Sequence, residues 1–136
     1  MSPENHDPQR THLFIAEDLT GKVQWIETEK SARVSLTVGQ RMQVDEKGLI
    51  HGGFTFGLAD YAAMVAVNHP FVVLLSANVR FLRPVETGDR LTAHARISAA
   101  EGRKRKVWCE VFKQDQQKVF EGEFLCLTLE KHVLEK

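Results

Sequence analysis

Asp60 is the one charged residue between Phe54 and Val67. A lone carboxylate in an apolar run is costly unless it is paired or protonated. Its presence points to a tuned function. Ahead of it stands His51-Gly52-Gly53. Glycines at a helix start let a ligand approach the backbone, and the first N–H groups are free at the positive end of the dipole. Such donors suit a carbonyl that becomes an oxyanion. The plain alternatives are a tight turn for the glycine pair and a buried structural acceptor for Asp60. Gly53 and Asp60 are seven residues apart, or ~10 Å along a helix axis. That is too far for both to act on one carbonyl from the same chain. If both act, they come from different subunits, with two helices side by side and antiparallel.

Other chemistries find little support. The glycine spacing matches neither a phosphate loop nor a dinucleotide fingerprint. No Gly-x-Ser-x-Gly elbow is present, which argues against a serine hydrolase. No histidine pair has helix-face zinc spacing, so no metal is expected. His51 is read as a helix-entry residue that bonds loop backbone. Arg103-Lys104-Arg105-Lys106 is the densest basic run. It is either a solvated hairpin turn or a clamp on phosphates. Cys109 and Cys126 are read as buried free thiols rather than a disulfide.

The elements that must hold these residues follow from pattern. The run from Phe54 to Val67 is rich in Ala, Leu and Met and too long for a typical strand, so it predicts a helix. It is apolar almost all round and is expected to be buried. Asn68-His69-Pro70 ends it. Before it, Val23 to Glu29 and Ala32 to Val38 predict strands, the second by clean alternation. After it, Phe71 to Leu75 is continuously apolar. Ser76 to Arg83 then places Ala77, Val79 and Phe81 opposite Ser76, Asn78 and Arg80. Pro84 breaks that strand, and Glu86 to Asp89 turns. Leu91 to Ser98, Val107 to Lys113 and Val119 to Leu129 supply the rest. The expected fold is α+β, with two strands, one buried helix and an antiparallel meander of four strands wrapped on it.

Length suits one domain, placed at 11–136 behind a disordered polar tail at 1–10. Eighteen basic residues balance eighteen acidic ones, so no global field draws nucleic acid or an anionic membrane. No uncharged run reaches spanning length, and the N-terminus has no apolar core of a signal peptide. A cytoplasmic protein is expected.

His51-Gly52-Gly53, Phe56 and Leu58-Ala59-Asp60 together resemble the core motif of hot-dog-fold acyl-CoA thioesterases of the phenylacetate-pathway (PaaI-like) group. Arg80-Phe81-Leu82-Arg83-Pro84-Val85-Glu86-Thr87-Gly88-Asp89 resembles that family's strand, proline and turn. The likeness spans roughly Val23 to Leu129. It implies a hot-dog homodimer, or a tetramer as a dimer of dimers. It implies that the Gly53 N–H polarises a thioester carbonyl and that Asp60 of the partner subunit is nucleophile or base. Gly102-Arg103-Lys104 resembles the turn that contacts coenzyme A, which enters as part of the substrate and not as a cofactor. Asp45, His51, Gly52, Phe54 and Arg80 complete the expected substrate-binding set. Asp45 stands where many members have Asn, and Leu74 stands near the place of a Ser or Thr. Asn78 to Pro84 and Phe120-Glu121-Gly122-Glu123-Phe124 also resemble the hot-dog effector domain of fatty-acid regulators. The expected function is therefore acyl-CoA thioester hydrolysis between two subunits; the alternative is a non-catalytic acyl-CoA-binding or regulatory protein.

Overall fold

The computed structural model describes residues 6–135. In chain order the elements are α1 (Glu17–Thr20), β1 (Lys22–Glu27), β2 (Ser31–Thr37), a 3-10 turn (Gln40–Met42) and α2 (Gly52–Val67). Then come β3 (Val72–Phe81), β4 (Arg90–Glu101), β5 (Lys104–Phe112) and β6 (Lys118–Thr128). All six strands form one antiparallel sheet in the order β1-β2-β4-β5-β6-β3. The sheet curls around α2, which is the hot-dog arrangement.

Packing follows from the period of the strands. Ala32, Val34 and Leu36 of β2 alternate inward, and Leu91, Ala93 and Ala95 of β4 sit opposite them in register. Small residues on both sides let the helix approach closely: Ala59, Ala62, Ala63 and Ala66 are fully buried. Phe120 and Phe124 of β6 are fully buried too, each stabilising by roughly 1.5–3 kcal/mol. Phe56 of α2 reaches them with ring centroids 6.5 and 5.5 Å away.

One expectation about topology is corrected. Only β4, β5 and β6 form a meander. β3 crosses to the far edge and pairs with β6, while β4 pairs with β2. Alternation defines which face of a strand is buried but not which strand lies beside it, and neighbours in sequence pair only about two-thirds of the time. The linker after β3 passes beneath the helix entrance, where the Ile50 N–H donates to the Val85 carbonyl at 2.8 Å.

The tail expected over 1–10 is also corrected from Asp7 onward; Met1–Asn5 lies outside the described residues. The Asp7 N–H donates to the Ile26 carbonyl at 2.9 Å, and the Thr28 N–H donates to the Asp7 carboxylate at 2.7 Å. Asn68 holds the next turn. Its side chain accepts from the Arg10 N–H at 2.7 Å and donates to the Pro8 carbonyl at 3.0 Å. Asn68 caps α2 in the left-handed region, φ 54°, which Asn tolerates better than most residues. Prolines and polar side chains look like a tail in sequence. Their partner is a buried amide nearly sixty residues away.

Candidate functional site

The first half of α2 carries the site. His51 is its N-cap: the Nδ1 accepts the Gly53 N–H at 2.7 Å. The His51 N–H in turn donates to the Met42 carbonyl at 2.9 Å. The helix-entry role expected for His51 is thus what the geometry displays. It also accounts for Gly53 locally, because a Cβ there would lie 2.8 Å from His51 Nδ1. Gly52 is similarly pressed by the Phe81 ring, 3.2 Å from where a Cβ would be. Phe54 is half-buried, edge-on to His51 at 6.2 Å.

From Tyr61 to Val67 the helix is buried on every side, as expected. The first half differs. Gly53 is exposed, and Phe56, Gly57 and Asp60 are only half-buried. Gly53, Gly57 and Asp60 stand at i, i+4 and i+7, so they share one face. A Cβ on Gly57 would meet nothing within 4 Å. The result is an uncovered stripe of small residues leading to a carboxylate. Gly57 was not among the expected site residues, although its spacing from Gly53 and Asp60 was readable. On another side of the helix entrance a groove is lined by Gly52, Thr55, Phe81, Leu82, Pro84 and Val85.

Asp60 leans from this stripe toward the sheet. Its Oδ1 is enclosed and has no hydrogen-bond partner among the described residues. Burial raises its pKa to about 6, since desolvation disfavours the charged form. The thiols of Cys109 and Cys126 feel its charge. Burial first, then Glu110 and Asp60, push Cys109 far up, and burial with Asp60 pushes Cys126 up to about 12. Both cysteines are free.

The remaining candidates are spread over the chain. Asp45 organises the loop before the helix: one carboxylate oxygen accepts the Lys47 N–H at 3.0 Å and the Leu49 N–H at 3.2 Å. Arg80 projects from the outer face of the sheet, in a groove with Asn78, Trp108, Glu121 and Glu123, and not beside Gly53. Gly102 takes φ 58° in the β4–β5 turn. Arg103 there pairs with Glu130. Arg105 is committed to Glu29, through contacts of 2.8 and 3.2 Å. Lys104 is exposed and makes no ion pair among the described residues. This turn lies near the C-terminal end of α2, because the Glu29 N–H donates to the Ala66 carbonyl. That end is about 20 Å from Gly53 along the helix. One chain therefore brings Gly53, Gly57 and Asp60 to one stripe and keeps Arg80 and the basic turn away from it. Among the described residues, no group of His, Cys, Asp and Glu is arranged to hold a metal ion, and no helix is long and apolar enough to cross a membrane.

Comparison with known proteins agrees with this architecture. The family model of the thioesterase superfamily matches residues 47–120. Among solved structures, an uncharacterized protein from Pyrococcus horikoshii superposes with a TM-score of 0.92 at 51% identity, covering 96% of this chain and 98% of that one. The PaaI protein of the phenylacetic acid degradation operon of E. coli superposes with a TM-score of 0.78 at 27% identity, covering 86% and 85%. A methylthioribose-1-phosphate isomerase from Aquifex aeolicus is 52% identical over 120 residues, 88% of this chain but only 26% of that protein. The transcription factor FapR from Caldanaerobacter subterraneus is 25% identical across the whole chain, which spans 66% of it. The matched region runs from the loop before α2 to the first residues of β6, through the stripe and the strands that enclose it, and the chain belongs to the thioesterase superfamily, as a hot-dog-fold member similar to PaaI.

Proposed function

We propose that the protein binds acyl-CoA between two subunits and hydrolyses the thioester. The observation that carries this reading is Asp60, a half-buried acid with an unpartnered oxygen on an open stripe of helix. In the proposed complex the acyl group lies along α2. Its carbonyl meets the Gly53 N–H after the His51 ring turns aside, because Nδ1 otherwise holds that donor. Asp60 of the partner subunit attacks the carbonyl carbon or takes a proton from the attacking water. The carbon–sulfur bond then breaks. In the base route the proton taken up by Asp60 passes to the departing sulfur. In the nucleophile route coenzyme A leaves as the thiolate, is protonated by solvent, and water hydrolyses the acyl–Asp60 anhydride to the free acid.

Two features support a dimer. β3 is an edge strand with Leu75 and Phe81 more than half exposed, and such an edge favours pairing with another chain. An antiparallel partner helix would also bring the partner's Gly102-Arg103-Lys104 turn to the Gly53 end, where the phosphates of coenzyme A would leave the groove.

The second reading is acyl-CoA binding without turnover. It is favoured by the likeness to FapR over the full chain and by the occupied Gly53 donor. A steady-state assay over a panel of acyl-CoAs, run beside a binding titration, separates the two. Turnover supports the hydrolase; tight binding with no turnover supports the sensor.

A further inference from the structure

The outer face of the sheet carries a second constellation, remote from the helix. Trp25, Arg33, His94, Glu110, Glu121 and Arg80 stand directly opposite one another across all six strands. Directly opposed side chains in a sheet have Cβ atoms roughly 5 Å apart, so the row is a continuous polar ladder. At its β1 end the ladder is hollowed into a pocket lined by Trp25, Ser31, Arg33, His94, Arg96 and Glu110. A bulge between Val23 and Trp25 shifts the register of β1 and sets Trp25 against Arg33. Bulges of this kind re-aim a side chain.

The charges in the pocket do not balance. Glu110 is engaged by Lys118, which also contacts Glu121 at 3.1 Å. Arg33 and Arg96 have no ion pair among the described residues. The Nε of Arg33 is enclosed and has no hydrogen-bond partner among the described residues. A buried guanidinium N–H without an acceptor is unfavourable until one arrives. The pocket therefore presents two cations, an unmet donor and an aromatic wall. Its volume is about 240 Å³, below the ~300–1,000 Å³ of sites for drug-sized ligands, so its occupant is small.

We propose that this pocket binds a small planar anion, its carboxylate or phosphate held by Arg33 and Arg96 and its ring laid against Trp25. Guanidinium groups match both oxyanions through paired N–H donors. His94, opposite Arg33, supplies a further ring nitrogen to the same oxyanion. This site is independent of acyl-CoA chemistry at Asp60.

Calorimetric titration of the full chain with benzoate, phenyl phosphate and inorganic phosphate, at low salt, tests it. Saturable binding of benzoate or phenyl phosphate is expected, and the tighter of the two identifies the anion. Inorganic phosphate should bind at least ~10-fold more weakly than phenyl phosphate, for want of the ring contact. Arg33→Gln should lose at least ~10-fold in affinity, and Trp25→Leu should erase the preference for the aromatic anion. Acyl-CoA turnover or binding should not change in either variant. If Arg33→Gln does not fold by circular dichroism, Arg96→Gln replaces it, with a loss of at least ~3-fold expected. No saturable binding to wild type at 10 mM anion, or unchanged affinity in the folded arginine variant, overturns the proposal. So does a change in assembly size of Arg33→Gln without any anion binding by wild type, which would assign the face to contact between copies of the chain.

Discussion

The imidazole of His51 holds the amide of Gly53 at 2.7 Å, Nδ1 accepting the N–H. The donor best placed to stabilise an oxyanion is thus occupied by the helix cap. Under the proposed mechanism two uses would compete for one hydrogen bond, and that competition can be measured.

His51→Ala removes the cap and frees the amide. Loss of a side-chain cap should cost about 1 kcal/mol of stability, read as a lower midpoint in urea. If the Gly53 N–H serves the carbonyl, kcat/KM on acyl-CoA should hold or rise. A drop of more than ~10-fold would put His51 itself in the chemistry.

Asp60→Asn keeps size and one acceptor but cannot act as nucleophile or effective base. Turnover should fall by at least ~100-fold with acyl-CoA binding retained. Wild-type kcat/KM should rise with pH through about 6 as Asp60 ionises. A fully active Asp60→Asn enzyme would sink the mechanism, and attention would move to His51 and Asp45.

The same carboxyl carries a stability signature. Its pKa in the folded chain, about 6, lies above the 3.8 of the free group. Between those values the folded state holds the extra proton, so this group's contribution to stability is fully present below pH 4 and is lost as pH rises through 6. The upper bound on that loss is roughly 3 kcal/mol. Urea unfolding of wild type relative to Asp60→Asn should show this slope between pH 4 and 6. Parallel curves for the two proteins would mean that the carboxyl is well solvated or paired.

Arg103→Ser with Lys104→Ser should weaken coenzyme A affinity, more at low salt than at high. Folding should be nearly untouched, since the exposed Arg103–Glu130 pair is worth ~1 kcal/mol or less. Arg105 is excluded from this test because it is tied to Glu29. Equal affinity before and after returns the run to an ordinary solvated turn.

Leu75→Lys places a charge at the bulge of the β3 edge. If the chain pairs through this edge as proposed, light scattering should show a shift from dimer toward monomer, with acyl-CoA turnover lost in parallel. A monomer that retains turnover would remove the composite site.

The helix and the six strands were legible because their signals are local. Fourteen residues with one charge read as a buried helix, and alternation in Ala32 to Val38 or Leu91 to Ser98 reads as half-buried strands. The candidate positions Gly53 and Asp60 were readable in the same way, as residue types seven apart in that run. What escaped depends on long-range partners. The place of β3 beside β6 rests on pairings some forty-five residues apart. The ordered segment from Asp7 rests on Asn68 and Thr28. The separation of Arg80 from Gly53 follows from which face of β3 turns inward, where Val79 packs on the core and Arg80 does not.

The order β1-β2-β4-β5-β6-β3 has a consequence for how the chain reaches this state. The β1–β2 and β4–β5–β6 units close through short turns and can form early. Joining them requires Val34 to meet Ala93, nearly sixty residues away, with the central helix between them in sequence. Contacts of that span slow the search, because loop entropy is lost before the pairing compensates it. The β2–β4 seam is therefore expected to close late in folding, which a slower refolding rate for a lengthened β2–α2 loop would test. Until it closes, Val34, Leu36, Leu91 and Ala93 are open to other chains, and the time spent with that seam unzipped sets the tendency to aggregate.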